Sequence, residues 1–225
     1  MISSPGHQGA HVNVFLELYN RLLSHFGPQE WWPADTPFEV VIGAILTQNT
    51  SWTNVERAIA NLKEEEVLNA EALHEIPERR LAVLLRPAGY FNVKARRTKA
   101  FMSFLHEAYG GSLDAMFRQP LPRLRGQLLD IHGIGPETAD SILLYAGRYP
   151  VFVIDAYSTR IFTRHDLIDG RVGYREIQSR VMSHIPPDVE VYQEYHALLV
   201  RLGKIHCKRT PECSGCPLGG VNGIS

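Results

Sequence analysis

The sequence predicts an all-α fold of two helical domains. Apolar residues recur at helical intervals along nearly the whole chain, and the one strand-like run has no evident partner strand. A length of 225 residues with 44% hydrophobic content is ample for a sizeable core, as one large or two small domains.

Residues 12–26, VNVFLELYNRLLSHF, place Phe15, Leu18, Leu22 and Leu23 on one helical face. Residues 37–50, PFEVVIGAILTQNT, are apolar almost all round, as a central buried helix requires. Residues 51–63 open on Ser51, a favoured N-cap. Further helices are expected near 66–75, 78–86, 94–109, 121–130, 136–148, 156–165, 173–184 and 189–205. The run YPVFVI (149–154), between Gly147 and Asp155, reads as a buried extended connection. Pro33 to Pro37 and residues 147–155 are the expected crossings between lobes. They divide the chain into a domain of residues 34–149 and a second built from 1–33 and 150–225.

Charge is balanced, with 23 Lys and Arg against 24 Asp and Glu, a formal net of −1. Bulk charge therefore neither predicts nor excludes a polyanionic partner, since a local patch can bind phosphate on a neutral protein. Met1 to Gln8 is short, polar and loose in composition, without a basic-apolar signal layout. No apolar run approaches membrane-spanning length, so a soluble cytoplasmic protein without a membrane partner is expected. All three cysteines fall within ten residues, and an odd, tight cluster points to metal ligation rather than a disulfide framework.

The stretch LLDIHGIGPETADSILLY (128–145) sets Gly133 and Gly135 between two apolar helical patterns, with Pro136 suited to the first turn of the second. Such a sharp helix–turn–helix can aim backbone N–H groups outward and hold a phosphate without a basic side chain. An ordinary helix connection, with Glu137 stabilising the dipole, is the competing reading. In VFVIDAYSTR (151–160), Asp155 ends an apolar run and opens a helix. It reads either as an N-cap or as a carboxylate that stabilises an oxocarbenium-like sugar or activates water beside the turn.

Together these two stretches resemble the signature of the helix-hairpin-helix DNA glycosylase superfamily, which includes endonuclease III. The resemblance spans residues 35 to 216. It implies a hairpin (Gly133, Ile134, Gly135, with Thr138) that grips DNA backbone phosphates. It also implies that Asp155 is the catalytic carboxylate and that the target base is flipped into a pocket between the domains. GYFNVKARR (89–97) resembles a further family segment. That likeness makes Lys94, with Arg96 and Arg97, candidate phosphate contacts; a solvated basic helix face is the alternative.

Endonuclease III-type enzymes carry a lysine where this chain has Glu137, and that lysine forms the Schiff base of strand cleavage. Glu137 cannot form an imine, so base removal by water is the expected chemistry, with Glu137 as a second catalytic-site candidate that caps its helix or shapes the pocket. ILTQNTSW (45–52) matches the segment whose glutamine fills the gap left by the flipped base, which nominates Gln48. The layout of EWWPADTPFE (30–39), Gln48 and Trp52 resembles the 3-methyladenine DNA glycosylase branch. There aromatics sandwich a methylated purine, so Trp52 with Trp31 or Trp32 is the expected base-stacking set; core packing is the alternative.

HCKRTPECSGCPL resembles the C-terminal iron–sulfur loop of endonuclease III. That likeness implies a [4Fe–4S] cluster on Cys207, Cys213 and Cys216. The first gap is one residue short and the fourth cysteine is absent, so the last ligand is unknown and His206 is only a nearby possibility. Zinc on the same thiolates and a metal-free loop are the rivals. Lys208 and Arg209 could add phosphate contacts in each case. The expected protein is a monomer acting on damaged double-stranded DNA as a monofunctional glycosylase, with alkylated purine the favoured lesion. The alternatives are an endonuclease III-type glycosylase/lyase on oxidised pyrimidines and a lesion-binding protein that no longer cleaves.

Overall fold

Helical periodicity decides the architecture. A computed structural model describes residues 13–29, 31 and 34–221. Among these residues it contains twelve α-helices, one 3₁₀ turn, one π turn and no strand. No helix among them is long and apolar enough to cross a membrane. By internal contact the chain forms two units. One comprises Met1–Gln29, Ala156–Pro186 and Glu194–Ser225; the other comprises Glu30–Asp155 and Pro187–Gln193.

In the Glu30–Asp155 unit, helix α2 (Pro37–Leu46) is the central element, with Glu39 to Leu46 all buried. Thr36 caps it by accepting from the Glu39 amide at 3.2 Å, and Pro37 supplies a pre-set first turn. The buried Glu39 carboxylate is satisfied by Lys63 of α3 (Trp52–Glu64) at 2.9 Å and by the Asp35 amide at 3.2 Å. Along α3 the buried residues Val55, Ala58, Ile59 and Leu62 form one stripe. Ser51 occupies the N-cap position there, but its side chain makes no cap bond; its carbonyl accepts from Asn54 and Val55 instead.

Two short helices, α4 (Ala70–Glu75) and α5 (Glu78–Leu84), lead through a 3₁₀ turn (Arg86–Ala88) into α6 (Phe91–Tyr109). The buried face of α6 carries Ala95, Thr98, Phe101, Met102 and Leu105, and also Lys94, which is 1% exposed. Lys94 Nζ donates to the Ala88 carbonyl at 2.6 Å, capping the 3₁₀ turn. Of the candidate phosphate contacts on this segment, Lys94 is thus the buried one: its stem lies in the apolar stripe and its ammonium is directed to the protein's own carbonyl.

Helices α7 (Leu113–Met116) and α8 (Leu121–Asp130) precede the glycine turn, and α9 (Pro136–Ser141) follows it. Arg125 of α8 clamps Asp140 of α9 through two bonds, Nε to Oδ1 at 2.7 Å and a terminal nitrogen to Oδ2 at 3.0 Å. Asp140 is fully buried, so this fork fixes the angle between the two hairpin helices. Where one helix over 136–148 is expected, α9 opens into a π turn (Ile142–Ala146). The Gly147 amide bonds the Ile142 carbonyl five residues back, and all five residues of the turn are buried. Residues Val151 to Ile154 then run extended and buried to Asp155.

In the other unit, α1 (Val14–Phe26), α10 (Ala156–Arg164), α11 (Tyr174–Met182) and most of α12 (Val189–Ile205) pack together. Phe15 meets Phe162 edge-on at 5.3 Å between ring centroids, and Tyr19 meets Tyr195 at 5.4 Å.

Two outcomes are expected. Asp140→Ala leaves the Arg125 charge without its buried partner and should lower unfolding free energy by about 3–5 kcal/mol in urea titration; a loss under ~1 kcal/mol would show that the fork is dispensable. Burial, and then the charge of Arg97, brings the Lys94 pKa down from 10.5 to about 8. Between those values the unfolded chain binds the proton and the native protein does not, so this group makes stability rise with pH across that window. Lys94→Met should remove the rise, seen as a pH-dependent gap between the two proteins in urea unfolding at pH 7.5 and pH 10; parallel curves would contradict it.

Candidate functional site

Glycine is required at the centre of the hairpin for two reasons. Gly133 has φ +85, and a Cβ there would come within 2.4 Å of Arg97 Cγ and 2.6 Å of Arg97 Nε. Gly135 is extended and takes the N-cap position of α9 with no side-chain cap bond. Within the turn the Ile134 amide donates to the Ile131 carbonyl at 3.0 Å, and the Ile134 side chain is 4% exposed. Ile134 is therefore drawn inward, amide and side chain alike, and presents neither to a phosphate.

Gln48 ties this turn to the end of α2. It lies between α2 and α3, beside Asn49 in the left-handed region (φ 55). Its Nε2 donates to the Gly133 carbonyl at 3.1 Å and to Thr138 Oγ1 at 2.9 Å. Its Oε1 accepts from the Arg97 guanidinium. The structure thus brings Gln48, Gly133, Thr138 and Arg97 into one network. Thr138, 6% exposed, faces Gln48 rather than solvent. Arg97, a candidate phosphate contact or part of a solvated basic face on sequence grounds, packs against a turn 36 residues away, a contact that nothing in the spacing marks.

Glu137 is exposed in the first turn of α9, where a carboxylate interacts favourably with the helix dipole. Its carbonyl accepts from Ser141 Oγ at 2.7 Å. Asp155 is half-buried at the end of the extended run and belongs to the same unit as the hairpin. Trp52 opens α3 and Trp31 precedes α2; both are half-buried. Trp32 lies outside the described residues.

The cysteines belong to the other unit. Cys207 is buried, Cys216 half-buried and Cys213 exposed. Burial raises the Cys216 thiol, and the neighbouring Cys213 and Cys207 raise it further. The loop is held by arginines. Arg160 Nε donates to the Cys207 carbonyl at 2.7 Å, while Arg164 reaches Cys207 Sγ at 3.3 Å, the Lys208 carbonyl at 2.6 Å and the Arg209 carbonyl at 2.8 Å. His206 Nδ1 contacts the Glu212 carbonyl at 3.2 Å, and Lys208 pairs with Glu212. No three His, Cys, Asp or Glu side chains among the described residues converge as a metal-ligating group.

Comparison with known proteins agrees with this architecture. The model of the HhH-GPD superfamily of base excision DNA repair proteins matches residues 42–187. The chain is 47% identical over 206 residues to MJ1434 of Methanocaldococcus jannaschii, provisionally named a DNA repair glycosylase, covering 91% of this chain and 94% of that protein. The structure of the H. pylori 3-methyladenine DNA glycosylase MagIII bound to 1,N6-ethenoadenine aligns with a TM-score of 0.75 at 28% identity, over 85% of this chain and 97% of that one. An endonuclease III in a non-covalent DNA complex shares the fold with a TM-score of 0.79 at 22% identity, over 92% and 93% of the two chains. The helical architecture, the glycine hairpin and these matches have one reading: the chain belongs to the HhH-GPD superfamily of base excision DNA repair proteins.

Proposed function

We propose that the protein is a monofunctional DNA N-glycosylase that releases an alkylated purine from duplex DNA. The observation that carries this reading is the exposed carboxylate of Glu137 in the first turn of α9. A carboxylate cannot condense with the C1′ aldehyde of an abasic sugar, so no imine forms there and strand cleavage by that route is closed. Asp155 is the remaining acid that ends a buried run in the hairpin's unit. In this reading its carboxylate stabilises the oxocarbenium-like sugar as the glycosidic bond breaks, and water completes the exchange.

The base pocket assigned to Trp31 and Trp52 suits a cationic purine. Half-buried indoles offer broad faces, and a methylated purine carries a positive charge that such faces attract. Its glycosidic bond is already weakened, so one carboxylate and a stacking pocket suffice. MagIII, of similar fold, was crystallised with 1,N6-ethenoadenine, a modified purine. The backbone amides around Gly133 and Gly135 take a phosphate next to the flipped nucleotide, and Gln48 fills the gap it leaves. A single copy carries the whole set.

The loop's thiols belong to the unit that does not hold Asp155. A [4Fe–4S] cluster is what the cysteine motif implies, yet the loop offers three thiols and no convergent fourth donor among the described residues. Base release is assigned entirely to the unit that holds Asp155.

The test is Asp155→Asn on duplex carrying 3-methyladenine. Base release should fall by about 10²–10⁴-fold while duplex affinity stays within a few fold, and borohydride should trap no wild-type protein on abasic DNA. Full activity in the variant would exclude Asp155 as the catalytic acid, and a covalent adduct would restore the lyase reading.

A further inference from the structure

One cation, Arg97, stands beside the hairpin with no acidic partner among the described residues. Arg97 lies across the turn, its Cγ, Cδ and Nε all within 2.8 Å of where a Cβ on Gly133 would sit. One terminal N–H reaches Gln48 Oε1. The Nε proton is buried with no acceptor. No acidic side chain pairs with this guanidinium among the described residues. Lys94, one turn earlier on α6, is close enough for its protonation to be opposed by the charge of Arg97. A half-buried guanidinium with an idle donor and no counter-ion is electrostatically incomplete, and an anion with several acceptor oxygens completes it. The planar fork of arginine matches phosphate geometry.

Gln48 is on the other side of that same bond. Its amide nitrogen serves Gly133 and Thr138, and its oxygen is held by Arg97, so the glutamine is fastened at both ends. Of the three bonds, the one from Arg97 is charge-assisted and the strongest.

Building on the DNA-glycosylase reading above, we propose that Arg97 is a phosphate-binding positioning residue that couples backbone capture to release of Gln48. When a phosphodiester reaches the hairpin, the Arg97 fork turns from Gln48 Oε1 to the phosphate oxygens. Gln48 then keeps only its two neutral bonds and is free to move toward the gap left by an extruded base. The free protein thus stores the glutamine against the hairpin, and DNA supplies the anion that releases it.

The experiment uses a duplex bearing a tetrahydrofuran abasic analogue opposite 2-aminopurine, with wild type and Arg97→Met compared. Two quantities are read: the slope of log affinity against log salt, and the rate of the 2-aminopurine fluorescence change after binding. Arg97→Met should flatten the slope by about 0.9, the loss of one phosphate contact, and should raise the fluorescence rate a few fold because Gln48 is no longer held. An unchanged slope overturns the proposal, and so does a flattened slope with a rate that is not increased. Should Arg97→Met fail to fold by circular dichroism, Arg97→Gln carries the same two readouts. Wild-type base release from methylated duplex is measured in parallel. Product from wild type with an unchanged Arg97 slope defeats this proposal alone. Absence of product with a flattened slope and a raised rate defeats the glycosylase reading alone, and absence of duplex binding defeats both.

Discussion

At Gly133 the chain turns with φ +85 in a space that admits no Cβ beside Arg97, and the neighbouring elements take their places from that turn. Helix α8 enters it and α9 leaves it; the buried Asp140 fork fixes the angle between them. Gln48 holds its carbonyl from the end of α2, and Arg97 covers it from α6. Three segments distant in sequence therefore converge on one residue whose only special property is the lack of a side chain. A larger residue there meets backbone strain and a steric clash together.

That convergence gives a nearly neutral protein one place suited to an anion. The formal net charge is −1, yet the hairpin has an α9 amino end with no side-chain cap bond and, among the described residues, an arginine that pairs with no acidic side chain. Local geometry, not bulk charge, makes the anion-seeking surface. The exposed carboxylate of Glu137 sits at the same helix start, where it meets the dipole favourably and leaves no amine to attack a sugar. In the function proposed above, that one residue type is what favours hydrolysis over imine formation.

Helices were legible because apolar spacing reports burial directly. The stripe of Val55, Ala58, Ile59 and Leu62 and the all-apolar α2 are readable without coordinates. Boundaries moved where backbone geometry intervened. The helix expected near 66–75 starts only at Ala70, after Glu66 turns left-handed (φ 55) and Asn69 caps the Ala72 amide. The one expected near 94–109 starts at Phe91, directly after left-handed Tyr90. Charged residues misled more than apolar ones. Lys94 reads as a surface cation but donates to the Ala88 carbonyl from a buried position, and nothing in the spacing marks Asp140 as fully buried against Arg125. Pairings such as Gln48 with Gly133 span 85 residues and leave no periodic trace. Motif residues were legible through resemblance; the contacts that hold them were not.

Main-chain amides of the glycine turn are the groups proposed to clasp a DNA phosphate. Amide hydrogen exchange over residues 132–137, with and without a duplex containing a tetrahydrofuran abasic analogue, reads this contact most directly. Binding should slow exchange at Gly133 and Gly135 and leave Ile134, already bonded to Ile131, nearly unchanged. Saturating duplex with no slowing at either glycine would place the phosphate elsewhere and contradict the account.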